Sequence, residues 1–231
     1  MPSPRNRRRA ATVGYLALAA VDTYLAGRPE LAARRVRHVT KPMLMPMLAT
    51  STHLARAGRG DHLLRGVQVA QAFSWGGDLA LLGSGKKSFL TGIGSFLVAH
   101  LGYIAGFASA RDPEAGVDRP GPKAAAATWV TMAPVMARAA GRQDPSLRVP
   151  VAVYAAVLTT MFATSTTLHR SLPSEARTKI VAGTSLFLLS DTILAVQKFL
   201  RSEHSAVLES AVMATYTTGQ WLIAEGAVAA T

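Results

Sequence analysis

Long apolar runs, each broken by a few charged or turn-forming residues, set the organisation of this chain, and eight of them can be counted. The first extends from about Ala10 to Leu25 and stops at Gly27-Arg28-Pro29. The second opens at Thr40-Lys41-Pro42 and reaches about Ala55, with Pro42 expected in the first turn, where its missing N–H costs little. The third covers about Arg65 to Leu82 and the fourth about Phe89 to Ala108, joined by a short Lys86-Lys87 turn. A polar, Pro- and Gly-rich stretch, Arg111 to Lys123, then separates two halves. The remaining runs lie at about Ala124 to Ala139, Val149 to Leu168, Lys179 to Phe199 and Ala206 to Ala229.

Such runs approach the roughly 20 apolar residues that cross a hydrocarbon core of about 30 Å. Only helices and closed barrels satisfy every backbone polar group in lipid, and these lengths favour helices. The expected fold is an all-α membrane protein, a bundle of about eight transmembrane helices. Residues 1–231 then form a single integral membrane domain, with halves 10–110 and 124–229 joined by the polar loop 111–123. The cell membrane is the expected location, with many passes.

Composition agrees. Of 231 residues 49% are hydrophobic and only 16% charged, below the roughly 25% charged of a soluble domain. The formal charge of +12 would point to nucleic acid in a soluble protein. Here Lys and Arg sit mostly between apolar runs, where they anchor helix ends at headgroups, so membrane lipids are the expected partner and nucleic acid is not. There is no cysteine, hence no disulfide and no thiolate metal site. The basic start followed by an apolar run resembles a signal peptide, but the run continues through Asp22 and Tyr24, and an uncleaved first helix is expected. Basic residues divide almost evenly between the two sides, so only the Arg cluster at 5–9 tips orientation towards N-inside.

Ionisable residues inside spans are costly and mark function. Asp22, Lys41, Asp78 and Asp191 lie near helix ends that belong to odd-numbered loops, so all four face one side of the membrane. By helical rise Asp78 sits roughly 12 Å below Lys86 and Asp191 roughly 10 Å below Lys198, with His100 near the midplane. That describes a polar pocket open to one leaflet, with His100 at its floor. A faint repeat accompanies it: Asp78 precedes Tyr103-Ile104-Ala105-Gly106 by the same interval as Asp191 precedes Tyr216-Thr217-Thr218-Gly219. The match fits a duplication into two parallel four-helix repeats.

The series Lys41-Pro42, Gly76-Gly77-Asp78, then Phe89, Gly92, Phe96, His100, Tyr103 and Phe107 resembles the YhhN family of integral membrane proteins. Pro150, Tyr154, Phe187, Ser190-Asp191, Phe199, Tyr216 and Gln220 continue the likeness. The resemblance implies a lysoplasmalogenase-like enzyme, which splits the vinyl ether of a lysoplasmalogen-type lysophospholipid into a fatty aldehyde and a glycerophospho-alcohol. That chemistry suits an acid–carboxylate pair, by the logic of glycosidases, and Asp78 and Asp191 are the candidates. Lys41 at the rim is the candidate phosphate ligand. His100, Tyr216 and Gln220 would position water or glycerol oxygens, with Tyr103, Tyr154, Ser190 and Asp22 as further substrate-binding candidates.

Other chemistry is disfavoured. Gly83-Ser84-Gly85-Lys86-Lys87-Ser88 lacks the first Gly and the Ser/Thr of a phosphate loop, and no strand precedes it. No G-x-S-x-G or H-E-x-x-H occurs, so no metal and no cofactor is expected, with Asp78, His100 and Asp191 the one trio whose chemistry would suit a metal. The competing reading is a non-enzymatic lipid-binding protein or a proton-coupled transporter using the same carboxylates.

Overall fold

A computed structural model describes residues 3–55, 61–203 and 205–231, and these are helical almost throughout. The helices are α1 (Pro4–Ala26), α2 (Leu31–Ala55), α3 (His62–Leu81), α4 (Gly85–Ser109), α5 (Pro120–Gln143), α6 (Arg148–Ser165), α7 (Ser174–Phe199) and α8 (Ala206–Ala229), with a 3-10 turn at Pro145–Leu147 leading into α6. Three stretches are long and apolar enough to cross a membrane: α4, Pro145–Ser165 and α7.

The helices pack as the hairpins α1–α2, α3–α4, α5–α6 and α7–α8, of which α3–α4 and α7–α8 are the tightest. Both rely on absent side chains. A Cβ placed on Gly66 would stand 2.6 Å from the Gly106 Cα, and one on Gly183 would stand 2.7 Å from the Gly219 carbonyl. Small residues at facing positions let backbones touch, which is how helices associate in lipid. The shared core then joins α1 to α4, α6, α7 and α8 through Tyr15, Leu44, Leu64, Phe96, Phe107, Leu158, Phe187 and Ile223.

Loops pair by side. Lys86 Nζ is 2.7 Å from Asp144 Oδ2, Gln143 donates to the Lys198 carbonyl at 3.1 Å, and the Lys198 ammonium lies 4.3 Å from the Phe89 ring centroid. These contacts gather the α3–α4, α5–α6 and α7–α8 connections at one end. At the other, Arg111 and Leu168 form an antiparallel bridge, and the backbone N–H groups of Asp112 and His169 donate to Thr167 and Ala110 at 2.9 Å.

Several expected boundaries move; α4 begins at Gly85 and α7 at Ser174, so Lys86 and Lys87 lie in the first turn of α4 rather than in a connecting turn. α2 begins at Leu31, so Lys41 lies roughly three turns inside it rather than at its entry. The stretch LAARRVRHVT contains good helix formers, but its arginines hide it from a hydropathy reading. Likewise α1 starts at Pro4 with Ser3 as N-cap, and α5 starts at Pro120, inside the expected loop. α6 ends at Ser165, which frees Leu168 for the bridge to Arg111.

Pro42 and Pro46 are therefore interior to α2. A proline removes the N–H that would serve the carbonyl four residues earlier. For Pro46 that carbonyl is Pro42's, and the Trp75 indole N–H of α3 donates to it at 2.9 Å. A neighbouring helix thus supplies the missing donor.

Trp75→Phe should destabilise the fold by about 1 kcal/mol, the worth of one hydrogen bond. In a Pro46→Ala background, which restores the N–H, the same change should cost almost nothing; a detergent unfolding cycle measures both. At the surface, hydrogen bonds from Lys86 and then from Ser146 pull the Asp144 carboxyl down to about 2. A depressed carboxyl stabilises above its unfolded value, and that contribution is lost as pH falls from about 4 towards 2. In Lys86→Met the Asp144 midpoint, followed by NMR, should rise towards the usual carboxylate range.

Candidate functional site

Asp78 and Asp191 line the same cavity, although they come from different halves of the chain. The cavity holds about 770 Å³ and reaches the end of the bundle where the α1–α2, α3–α4 and α7–α8 connections meet. Lys41 of α2, Tyr154 of α6, Ser190 of α7 and Tyr216 of α8 also line it. One wall is apolar, formed by Trp129, Met132 and Met136 of α5 with Val151 and Leu158 of α6. Its mouth carries Arg28, Arg34, Arg37, His38 and Lys198.

Each carboxylate is held by partners from other helices. Asp78 is 1% exposed; Lys41 Nζ stands 3.6 Å from its Oδ1, and the Tyr216 hydroxyl donates to its Oδ2 at 2.8 Å. Gly77 makes room beside it, since a Cβ there would fall 2.5 Å from the Phe96 ring. Asp191 accepts from the Tyr154 hydroxyl. The same phenol oxygen is 3.0 Å from His100 Nε2, which lies 3.7 Å from Asp191 Oδ2.

Phe96 and Phe187 fill the space between these groups. Tyr216 meets them edge-on at centroid distances of 5.9 and 5.4 Å, and His100 meets Phe187 at 5.0 Å. The result is two hydrogen-bonded carboxylates in an otherwise apolar surrounding, where electrostatic interactions are strengthened. That arrangement can hold a proton on one acid and a charge on the other.

His100, Tyr103, Gln220 and Asp22, also expected in the site, lie outside the cavity lining. His100 is fully buried behind Tyr154 rather than at the cavity floor. Helical rise sets the depth of a side chain but says nothing about its direction around the axis. Tyr103 donates to Gln220 Oε1, and Gln220 donates to Ser74 at 3.0 Å; all three are buried and positioned to brace α3, α4 and α8. Asp22 is buried too, accepting from Thr40 at 2.6 Å and pairing with Arg37 at 3.4 Å. Ser190 spends its hydroxyl on the Val212 carbonyl at 3.1 Å.

Two features escaped the sequence reading. Arg34, Arg37, His38 and Lys41 fall at helical spacing on one face of α2, a pattern obscured by reading residues 31–40 as loop. The α5 wall carries no polar signal at all. Among the described residues no three His, Asp or Glu side chains converge as metal ligands, the trio Asp78, His100 and Asp191 included.

Comparison with curated proteins and with solved structures gave no match. A family model does match, over residues 36–227, which include every site residue above except Asp22 and the mouth residues Arg28 and Arg34. The chain belongs to the YhhN family.

Proposed function

We propose that this protein is a multi-pass cell-membrane hydrolase that cleaves the vinyl ether bond of a lysoplasmalogen-type lysolipid, releasing a fatty aldehyde and a glycerophospho-alcohol. The observation that carries this reading is the pair of carboxylates from two halves on the walls of one apolar cavity. Vinyl ether hydrolysis needs a proton on the β-carbon, a negative charge near the resulting oxocarbenium ion, and a base for water. An acid and a carboxylate supply all three.

The rest of the cavity suits a single-chain lipid. Its apolar α5–α6 wall accommodates an acyl-type chain, and its cationic mouth accommodates a phosphate. Lys41 is committed to Asp78, and Arg37 to Asp22 and Glu209 at 3.4 and 4.0 Å. The headgroup role therefore passes to the mouth groups that are exposed and form no ion pair among the described residues, of which Arg34 and His38 lie on the same face of α2 as Lys41.

All eight helices are read as spans, in two parallel repeats. Lys41, Asp78 and Tyr103 recur at one constant interval as Tyr154, Asp191 and Tyr216. In both halves a residue on the helix before the acid's own contacts that acid, Lys41 of α2 on Asp78 and Tyr154 of α6 on Asp191.

Asp78→Asn and Asp191→Asn should each lower aldehyde release from a vinyl-ether lysophospholipid by about 10²-fold or more while the protein stays folded. Wild-type rates in both variants would remove the carboxylates from the chemistry. No release by folded wild-type protein would favour the lipid-binding or proton-coupled transport reading, which a flux assay then tests. Arg34→Gln combined with His38→Gln should raise KM about tenfold with kcat unchanged, the signature of lost uniform binding. A loss confined to kcat would contradict the headgroup assignment.

A further inference from the structure

The cations at the cavity mouth are not matched by acids. Arg28, Arg34, Arg37 and Lys198 line it together with His38. The carboxylates on the same lining are Asp78, Asp191 and Glu209. Asp78 is held by Lys41 and Tyr216. Asp191 accepts from Tyr154 and lies roughly 10 Å below Lys198 by helical rise. Glu209, in the first turn of α8, accepts from Gln197 at 2.8 Å and stands 4.0 Å from Arg37. A phosphate entering the mouth therefore meets donors, whereas an ammonium there meets no carboxylate without a partner.

An ammonium can also be held over the face of an aromatic ring. At the mouth that ring is Phe89, and the protein's own cation already covers it: Lys198 Nζ lies 4.3 Å from the ring centroid. Phe89 is only 9% exposed, so the covered face is the one it has to offer. Phe199 is buried edge-on against Phe89, with the centroids 5.8 Å apart. Just outside the lining, Tyr24 carries the Arg28 guanidinium in the same way, 4.7 Å from its centroid. Trp129 is exposed to the cavity but stands deep in it. α5 reaches the mouth at Gln143, and helical rise puts Trp129 roughly 20 Å along the helix from there, at the level of a lipid chain rather than a headgroup.

We propose that the mouth selects a lysolipid whose phosphate carries no amine, a phosphomonoester or phosphoglycerol headgroup, and that Lys198, seated on Phe89, is the residue that disfavours phosphocholine and phosphoethanolamine. This rests on the hydrolase reading above and names the headgroup class of its substrate. With the vinyl ether between Asp78 and Asp191, the phosphate reaches the mouth cations. An amine-bearing headgroup then holds its own cation one ethyl arm beyond the phosphate, among those same groups. Like charge repels it, and the ring that would take it is filled. Selectivity of this kind comes from an unfavourable contact with the wrong ligand as much as from attraction to the right one. An anionic headgroup meets neither obstacle. Lys198 is exposed, so its charge acts through partly screened surroundings and the preference is moderate in size.

Saturated alkyl-ether lysolipids have no vinyl ether to cleave, and so separate binding from turnover. Two of equal chain length, one with a phosphoglycerol and one with a phosphocholine headgroup, are titrated into the full-length protein in a neutral detergent. Binding is read from tryptophan fluorescence, since Trp129 lines the cavity. The phosphoglycerol lipid should bind about tenfold more tightly. Lys198→Met removes the charge and vacates the ring; it should tighten phosphocholine binding about fivefold and weaken phosphoglycerol binding. Lys198→Arg keeps a cation on the ring and should keep the preference. Should Lys198→Met fail to fold, Lys198→Gln carries the same expectation.

Equal affinity for the two lipids in wild-type protein, or a preference that Lys198→Met leaves intact, would overturn the proposal. The two readings fail separately. Cleavage of vinyl-ether lipids with equal affinity for both headgroups removes this assignment alone. A headgroup preference without cleavage removes the hydrolase reading and leaves the selectivity of the mouth standing.

Discussion

A carboxylate buried among apolar helices has to be partnered from another helix, and this constraint governs the architecture. Charge in a low-dielectric interior is tolerated only with a counter-charge or donated hydrogens. Asp78 obtains both, from Lys41 on α2 and Tyr216 on α8. Asp191 obtains a phenol from α6 backed by an imidazole from α4. The acids therefore tie α2, α3 and α8 to one another, and α4, α6 and α7 to one another, and fix where α3 and α7 can lie. The glycine contacts of Gly66 with Gly106 and of Gly183 with Gly219 allow the hairpins that carry these acids to close.

The same partners give the site its chemical asymmetry. At the same interval before Asp78 and Asp191 stand Lys41 and Tyr154, a permanent cation in one case and a neutral group in the other. Two acids that would otherwise be equivalent are thus placed in unlike electrostatic surroundings, the condition under which one serves as acid and the other as base. Phe96 and Phe187 exclude polar groups from the space between. Polar groups elsewhere in the bundle are already engaged: Asp22 with Thr40 and Arg37, Tyr103 with Gln220 and Ser74.

Much of this was legible in the sequence. Apolar runs located the helices, and loop parity put Asp78 and Asp191 towards one end of the bundle, where they line one cavity. Helix starts were hidden wherever the first turns are polar: Arg34, Arg35 and Arg37 extend α2 without contributing hydropathy. Depth could be read from helical rise, but azimuth could not, and His100 accordingly lies behind Tyr154 rather than on the cavity surface. The Trp75 bond to the Pro42 carbonyl was out of reach for another reason: it depends on a contact between helices that neither local pattern encodes.

The central claim is that a carboxylic acid in this cavity protonates the carbon of a vinyl ether, and the most direct test follows that proton. Purified protein given a vinyl-ether lysophospholipid in heavy water should release an aldehyde with one deuterium on the carbon beside the carbonyl, and should leave the saturated alkyl-ether analogue intact. Cleavage of both lipids, aldehyde without deuterium, or no aldehyde from folded protein would contradict the account.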